Sequence, residues 1–170
     1  SELQVNKDKV VLYGDSAGGC LAASVSLMAR DRKEFSIAFQ MLIYPVVDYL
    51  QESNSLIKYK DATWSANANK QMWKLYLGDA VPNPIDYASP LYAKSLANLP
   101  PAYVVPQEMD SLCDEGIAYA NRLEASNVPT VLNVVKGSYH AFESEYPSSF
   151  VINILKQRCI VISEFFKKQN

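Results

Sequence analysis

The stretch Val10-Val11-Leu12-Tyr13-Gly14-Asp15-Ser16-Ala17-Gly18-Gly19 decides how this chain reads. Four apolar residues enter a G-x-S-x-G sequence, and a run rich in alanine, leucine, valine and methionine leaves it. A strand followed at once by a helix needs a turn too tight for bulky neighbours. Gly14 and Gly18 answer that demand, and Gly19 adds room for helix against strand. The turn would raise the Ser16 hydroxyl at the strand's C-terminal end. There the first N–H groups of the helix favour developing negative charge. The pattern therefore predicts a nucleophile elbow, whereas a bare glycine-rich turn would lack the flanking strand and helix.

Outward from the elbow, strands and helices alternate. Val10–Tyr13 and Ile37–Tyr44 read as strands buried on both faces of a parallel sheet, with a helix from Ser16 to Arg30 between them. From Val46 to Leu99 the chain turns polar, aromatic and proline-rich, with one clear helix at Ser65–Leu77 stopped by Gly78. Ala102–Val105 and Val131–Val135 are the third and fourth strands. Asp114 is placed to cap a helix running to Ala125. A last helix, about Ser148 to Lys168, would put Val151, Ile154, Leu155, Cys159, Ile162, Phe165 and Phe166 on one face. Repeated β-then-α units imply an α/β fold with a largely parallel sheet and helices on both faces.

Composition narrows the function classes. The 170 residues carry 16 basic and 18 acidic side chains, a net charge of -2, and no basic cluster, so nucleic acid is not an expected partner. No apolar run approaches the ~20 residues that cross a bilayer. Cys20, Cys113 and Cys159 are scattered and odd in number, which argues against a disulfide framework and for a cytoplasmic protein. Cys20, one turn beyond Ser16, is expected as a buried thiol.

A serine nucleophile needs a base, and the chain holds one histidine. His140, in Lys136-Gly137-Ser138-Tyr139-His140-Ala141-Phe142, follows the fourth strand. Loops at the carboxyl ends of strands line the active crevice of an open α/β sheet. The orienting acid should follow the third strand, where Glu108, Asp110, Asp114 and Glu115 compete. Asp114 and Glu115 open a helix and are explained by that position. Asp110 lies past the strand tip and before the helix, and is the candidate acid. Glu108 and Asp114 remain alternatives. The order Ser…Asp…His is one of the known orders of a serine triad.

With these residues in view, the chain resembles the C-terminal part of an α/β-hydrolase of the hormone-sensitive-lipase-like family, the bacterial carboxylesterases and lipases. The motifs are Gly14–Gly19, Tyr87-Ala88-Ser89-Pro90-Leu91, Leu99-Pro100-Pro101, Asp110-Ser111-Leu112-Cys113-Asp114-Glu115-Gly116 and Gly137-Ser138-Tyr139-His140-Ala141-Phe142. The resemblance implies Ser16 as nucleophile, Asp110 as triad acid and His140 as base. Two positions depart from the family pattern: Ser111 stands for a proline and Ala141 for a glycine. A third departure is larger. The family's upstream H-G-G-G-like loop, which supplies most oxyanion donors, is absent, leaving the N–H of Ala17.

These readings predict a serine carboxylesterase acting on small acyl esters through an acyl-enzyme, with no metal or organic cofactor. The alternatives are a serine peptidase of prolyl-oligopeptidase type and a non-catalytic receptor on the same scaffold. Trp64, Trp73, Tyr76 and Tyr44 are candidates for the substrate side or for ordinary packing. Residues 1–170 are expected to be the C-terminal portion of a catalytic domain, without its N-terminal strands, glycine loop and cap. A missing N-terminal half, or another chain, is expected to cover the strand Val10–Tyr13, because an uncovered apolar edge invites pairing.

Overall fold

The computed structural model describes residues 6–167, which form two compact units that divide between His140 and Ala141. The first holds a four-stranded sheet, all parallel, in the order β1 (Val11–Asp15), β2 (Phe39–Ile43), β3 (Ala102–Val105) and β4 (Thr130–Leu132). Helix α1 (Ala17–Arg32) connects β1 to β2, and α4 (Cys113–Ala125) connects β3 to β4. Between β2 and β3 lie a short helix α2 (Asn54–Lys58), which the sequence pattern does not announce, and α3 (Ala66–Leu77). Among the described residues no helix is long and apolar enough to cross a membrane.

Register explains the core. Gly14, Leu42, Val104 and Leu132 stand in one row across the sheet. On that face Leu42 and Val104 join Ala23 and Leu27 of α1 and Tyr119, Ala120 and Leu123 of α4 in one buried cluster. Each large side chain fully withdrawn there contributes about 1.5–3 kcal/mol. In β2 all five residues are buried, four of them apolar; the fifth, Gln40, donates its side-chain amide to the Pro100 carbonyl at 2.9 Å.

The edge strands differ from expectation. β1 runs two residues further than its apolar run, through Gly14 to Asp15, and pairs with β2 alone among the described residues. Tyr13 is half exposed, and Val11 and Leu12 are partly buried, because the second side of the ladder carries no neighbour in the described chain. β4 stops at Leu132 rather than Val135, although pairing resumes at Gln107 and Val135.

Helix ends follow local chemistry where a capping side chain is adjacent. Ser65 Oγ accepts the Ala68 N–H, and Gly78 closes α3 with φ 70°. α4 corrects the sequence reading: it begins at Cys113, so Asp114 lies inside its first turn and is not its cap. Its carboxylate accepts the Ser55 N–H at 2.8 Å instead, and so caps α2 from another element.

In the second unit, α5 (Ser149–Lys167) corrects the expected stripe. Cys159 is exposed and Arg158 is buried. Seven residues from Val151 is almost two full turns, whereas eight overshoots by nearly a quarter turn. Arg158 lies over the Phe142 ring and pairs with Glu143. Ala141, where the resembling family has glycine, adopts φ 57°, the left-handed region that glycine favours.

Candidate active site

The elbow is built as a forced conformation. Ser16 has φ 54° and ψ -120°, outside the regions a non-glycine residue ordinarily occupies. Its backbone is tied on both sides: its N–H donates to the Ile43 carbonyl at 2.9 Å, and its carbonyl accepts from Gly19, Cys20 and Val46. A Cβ on Gly14 would fall 2.0 Å from the Gly18 carbonyl oxygen, and one on Gly19 would fall 2.9 Å from Pro45 Cβ. Gly18 differs from its sequence reading. A Cβ there meets nothing closer than Asp15 Oδ1 at 3.9 Å, so the steric demand falls on Gly14 and Gly19.

Three side chains from three loops meet above the strand ends. Ser16 Oγ lies 3.0 Å from His140 Nε2, and His140 Nδ1 lies 2.7 Å from Asp110 Oδ2. His140 is 7% exposed and Asp110 fully buried. The other carboxylate oxygen, Oδ1, accepts the Leu112 N–H at 3.1 Å. The loops that carry Asp110 and His140 are laced together: Met109 N–H donates to the Ser138 carbonyl, and Gly137 N–H to Glu108 Oε2. Glu108 therefore braces the histidine loop, and Asp114 faces Ser55; neither touches His140. The first N–H of α1, on Ala17, has no carbonyl partner one turn back, as at every helix start, and adjoins the serine.

Next to Ala17 opens an apolar groove of about 580 Å³, lined by Cys20, Trp64, Met72, Trp73 and Tyr76 among others. Of the four aromatic candidates, Trp64, Trp73 and Tyr76 line it. Tyr44 instead leans on the imidazole, with ring centres 4.8 Å apart. Cys20 is buried, and burial pushes its thiol up to about 12, so it is a neutral wall of the groove.

Sequence reasoning missed Glu115. It is fully buried, and its Oε1 accepts the N–H groups of Val47 at 2.6 Å and Asp48 at 3.3 Å. Burial raises its pKa well above the usual carboxylate range. The two backbone donors pull the other way, and the nearby Asp48 and Asp110 charges add to the rise. A helix-opening glutamate carries no sequence sign of this, since its partners lie 67 and 68 residues away.

The chain matches the family profile of the alpha/beta hydrolase fold over residues 1–144. It is 41% identical over 146 residues to an arylesterase of Saccharolobus solfataricus, covering 83% of this chain and 46% of that protein. It is 32% identical over 143 residues to an ethyl acetate hydrolase of Pseudomonas putida, covering 82% and 45%. A bacterial heroin esterase structure superposes with TM-score 0.91 at 32% identity, over 96% of this chain and 54% of that one. The chain thus spans about half the length of the curated relatives it matches. With parallel strands, a serine elbow and motifs in the family's order, the chain belongs to the α/β-hydrolase family, in its hormone-sensitive-lipase-like branch.

Proposed function

We propose that the protein is a serine carboxylesterase that cleaves small acyl esters through an acyl-enzyme. The observation that carries this reading is the unbroken line of contacts Ser16 Oγ–His140 Nε2 and His140 Nδ1–Asp110 Oδ2 at a strained elbow. Ser16 attacks the ester carbonyl while His140 takes its proton. Asp110 holds the imidazole in the tautomer that accepts at Nε2 and offsets the charge of the imidazolium. The Ala17 N–H donates to the oxyanion of the tetrahedral intermediate, helped by the start of α1. His140 then returns the proton to the leaving alcohol, and water repeats the sequence on the acyl-serine. The groove beside Ala17 takes an apolar substituent of the ester. The names of the related arylesterase and ethyl acetate hydrolase support an ester substrate with a small acyl group.

The same reading treats residues 1–170 as the C-terminal portion of a catalytic domain, with β1 covered by a further strand. One-sided pairing of β1 and the half-length match to the relatives support it. The test is hydrolysis of a short p-nitrophenyl ester by the full-length protein. Ser16→Ala should remove nearly all turnover, and undiminished turnover would overturn the reading. Faster cleavage of a peptide anilide than of the ester would favour the peptidase.

A further inference from the structure

We infer that Trp64 is a positioning residue for His140, set against the imidazole face by Ser111 and stabilising the imidazolium that forms during the reaction. This rests on the roles proposed above for Ser16, His140 and Asp110. The indole and imidazole stack with centres 5.5 Å apart and planes 27° apart. An indole face carries negative charge density and attracts a cation placed over it, Trp most strongly of the aromatic residues. A neutral imidazole gains mainly dispersion from the same contact. The contact is therefore stronger after His140 has taken the Ser16 proton than before. Only interactions that strengthen on the way to the transition state speed the chemical step.

Trp64 is held for this geometry. Its carbonyl accepts the Ser111 hydroxyl at 2.8 Å, and its indole N–H donates to Asn69 Oδ1 at 3.0 Å. Asn69 is fully buried, and Ser65, the next residue after Trp64, caps α3. Ser111 is also fully buried. Its Oγ stands 3.5 Å from Asp110 Oδ1, so its single proton belongs to the closer Trp64 carbonyl. One turn of backbone thus acts on the imidazole twice. Asp110 meets its Nδ1 edge directly, and Ser111 meets its face through Trp64. Tyr44 inclines on the ring at 58°, and Asp110 is the charged group paired with it.

Because Trp64 also lines the groove, the experiment must separate positioning from substrate contact. The full-length protein would be assayed with a short p-nitrophenyl ester as wild type, Trp64→Leu, Trp64→Phe and Ser111→Ala. Trp64→Met would replace the leucine variant if that one fails to fold. Loss of the stacked face should lower kcat about threefold to thirtyfold, with KM little changed. Trp64→Phe should recover most of kcat. Ser111→Ala should lose less, and should add nothing in a Trp64→Leu background, because it acts through the same ring. An unaltered kcat in Trp64→Leu, or a loss falling wholly in KM, would overturn the inference. A readout without catalysis keeps it separate from the esterase reading. The His140 ring-proton resonance, assigned by its loss in His140→Asn, should move in Trp64→Leu and stay near its place in Trp64→Phe. If the wild type cleaves no ester the esterase reading fails, while an unmoved resonance in Trp64→Leu still refutes the stacking role.

Discussion

Replacing Glu115 by glutamine should change how stability depends on pH. In the folded protein the carboxyl is fully buried, its Oε1 accepts two backbone N–H groups, and Oε2 has no hydrogen-bond partner among the described residues. Its folded pKa is raised well above the ordinary 4.5, chiefly by burial. Above pH 4.5 the unfolded chain has released this proton while the folded chain keeps it, so the folded state binds more protons. Stability then falls as pH rises, at about 1.4 kcal/mol per pH unit for this one group, until the folded pKa is passed. Glutamine keeps the accepting oxygen and has no proton to lose. Glu115→Gln should therefore be near wild type at pH 5 and gain on it as pH rises, until the folded pKa is passed. Glu115→Ala strands two buried donors, at about 1–3 kcal/mol each, and should cost roughly 2–6 kcal/mol at pH 5, a deficit that narrows as pH rises because alanine has no proton to lose either. Urea unfolding of the full-length protein between pH 5 and 8 measures all three. If the wild-type and glutamine curves run parallel, Glu115 is ionised when folded and the reasoning is wrong.

Gly14→Ala should prevent the elbow from forming and cost more than about 4 kcal/mol, since its Cβ would overlap the Gly18 carbonyl. Gly18→Ala should be neutral or stabilising by up to about 1 kcal/mol, from helix propensity, as urea unfolding would show. Asp110→Asn should keep the fold and lower kcat by roughly 10⁴, because asparagine no longer fixes the tautomer; steady-state kinetics and circular dichroism check the two halves. Native-state alkylation at pH 7.5, read by mass spectrometry, should label Cys159 first. Cys159 is exposed, whereas burial raises Cys20 to about 12 and Cys113 to about 11.

Where the physics is local, the sequence carries it. Ala102–Val105 and the span Ser65 to Gly78 are written in their own residues: an apolar run between prolines, a serine cap and a closing glycine. The motif order placed Ser16, Asp110 and His140 on one sheet edge, where the structure brings them together. Position alone could not separate Glu108, Asp110 and Asp114; that took the lacing of one loop to the next. Two of the misplaced residues act on distant partners, and two were misread locally. Asp114 caps a helix 59 residues away, and Glu115 holds a turn beyond β2. Cys159 looked apolar enough for a buried face, yet the helical period gives that place to Arg158. The steric need at Gly18 was read from a motif, and the path of the backbone shows that Gly14 and Gly19 bear it instead.

Ser16 and His140 touch across 124 residues of chain. No hairpin or single β-α-β unit contains both, and in the folded chain β2 and β3 stand between the strands that carry them. Such long-range closure is paid for in chain entropy before it returns any energy, which makes it slow. During refolding, ellipticity should recover first and the hydrolytic signal last. The chemistry of this site therefore doubles as a clock for the final stage of its assembly.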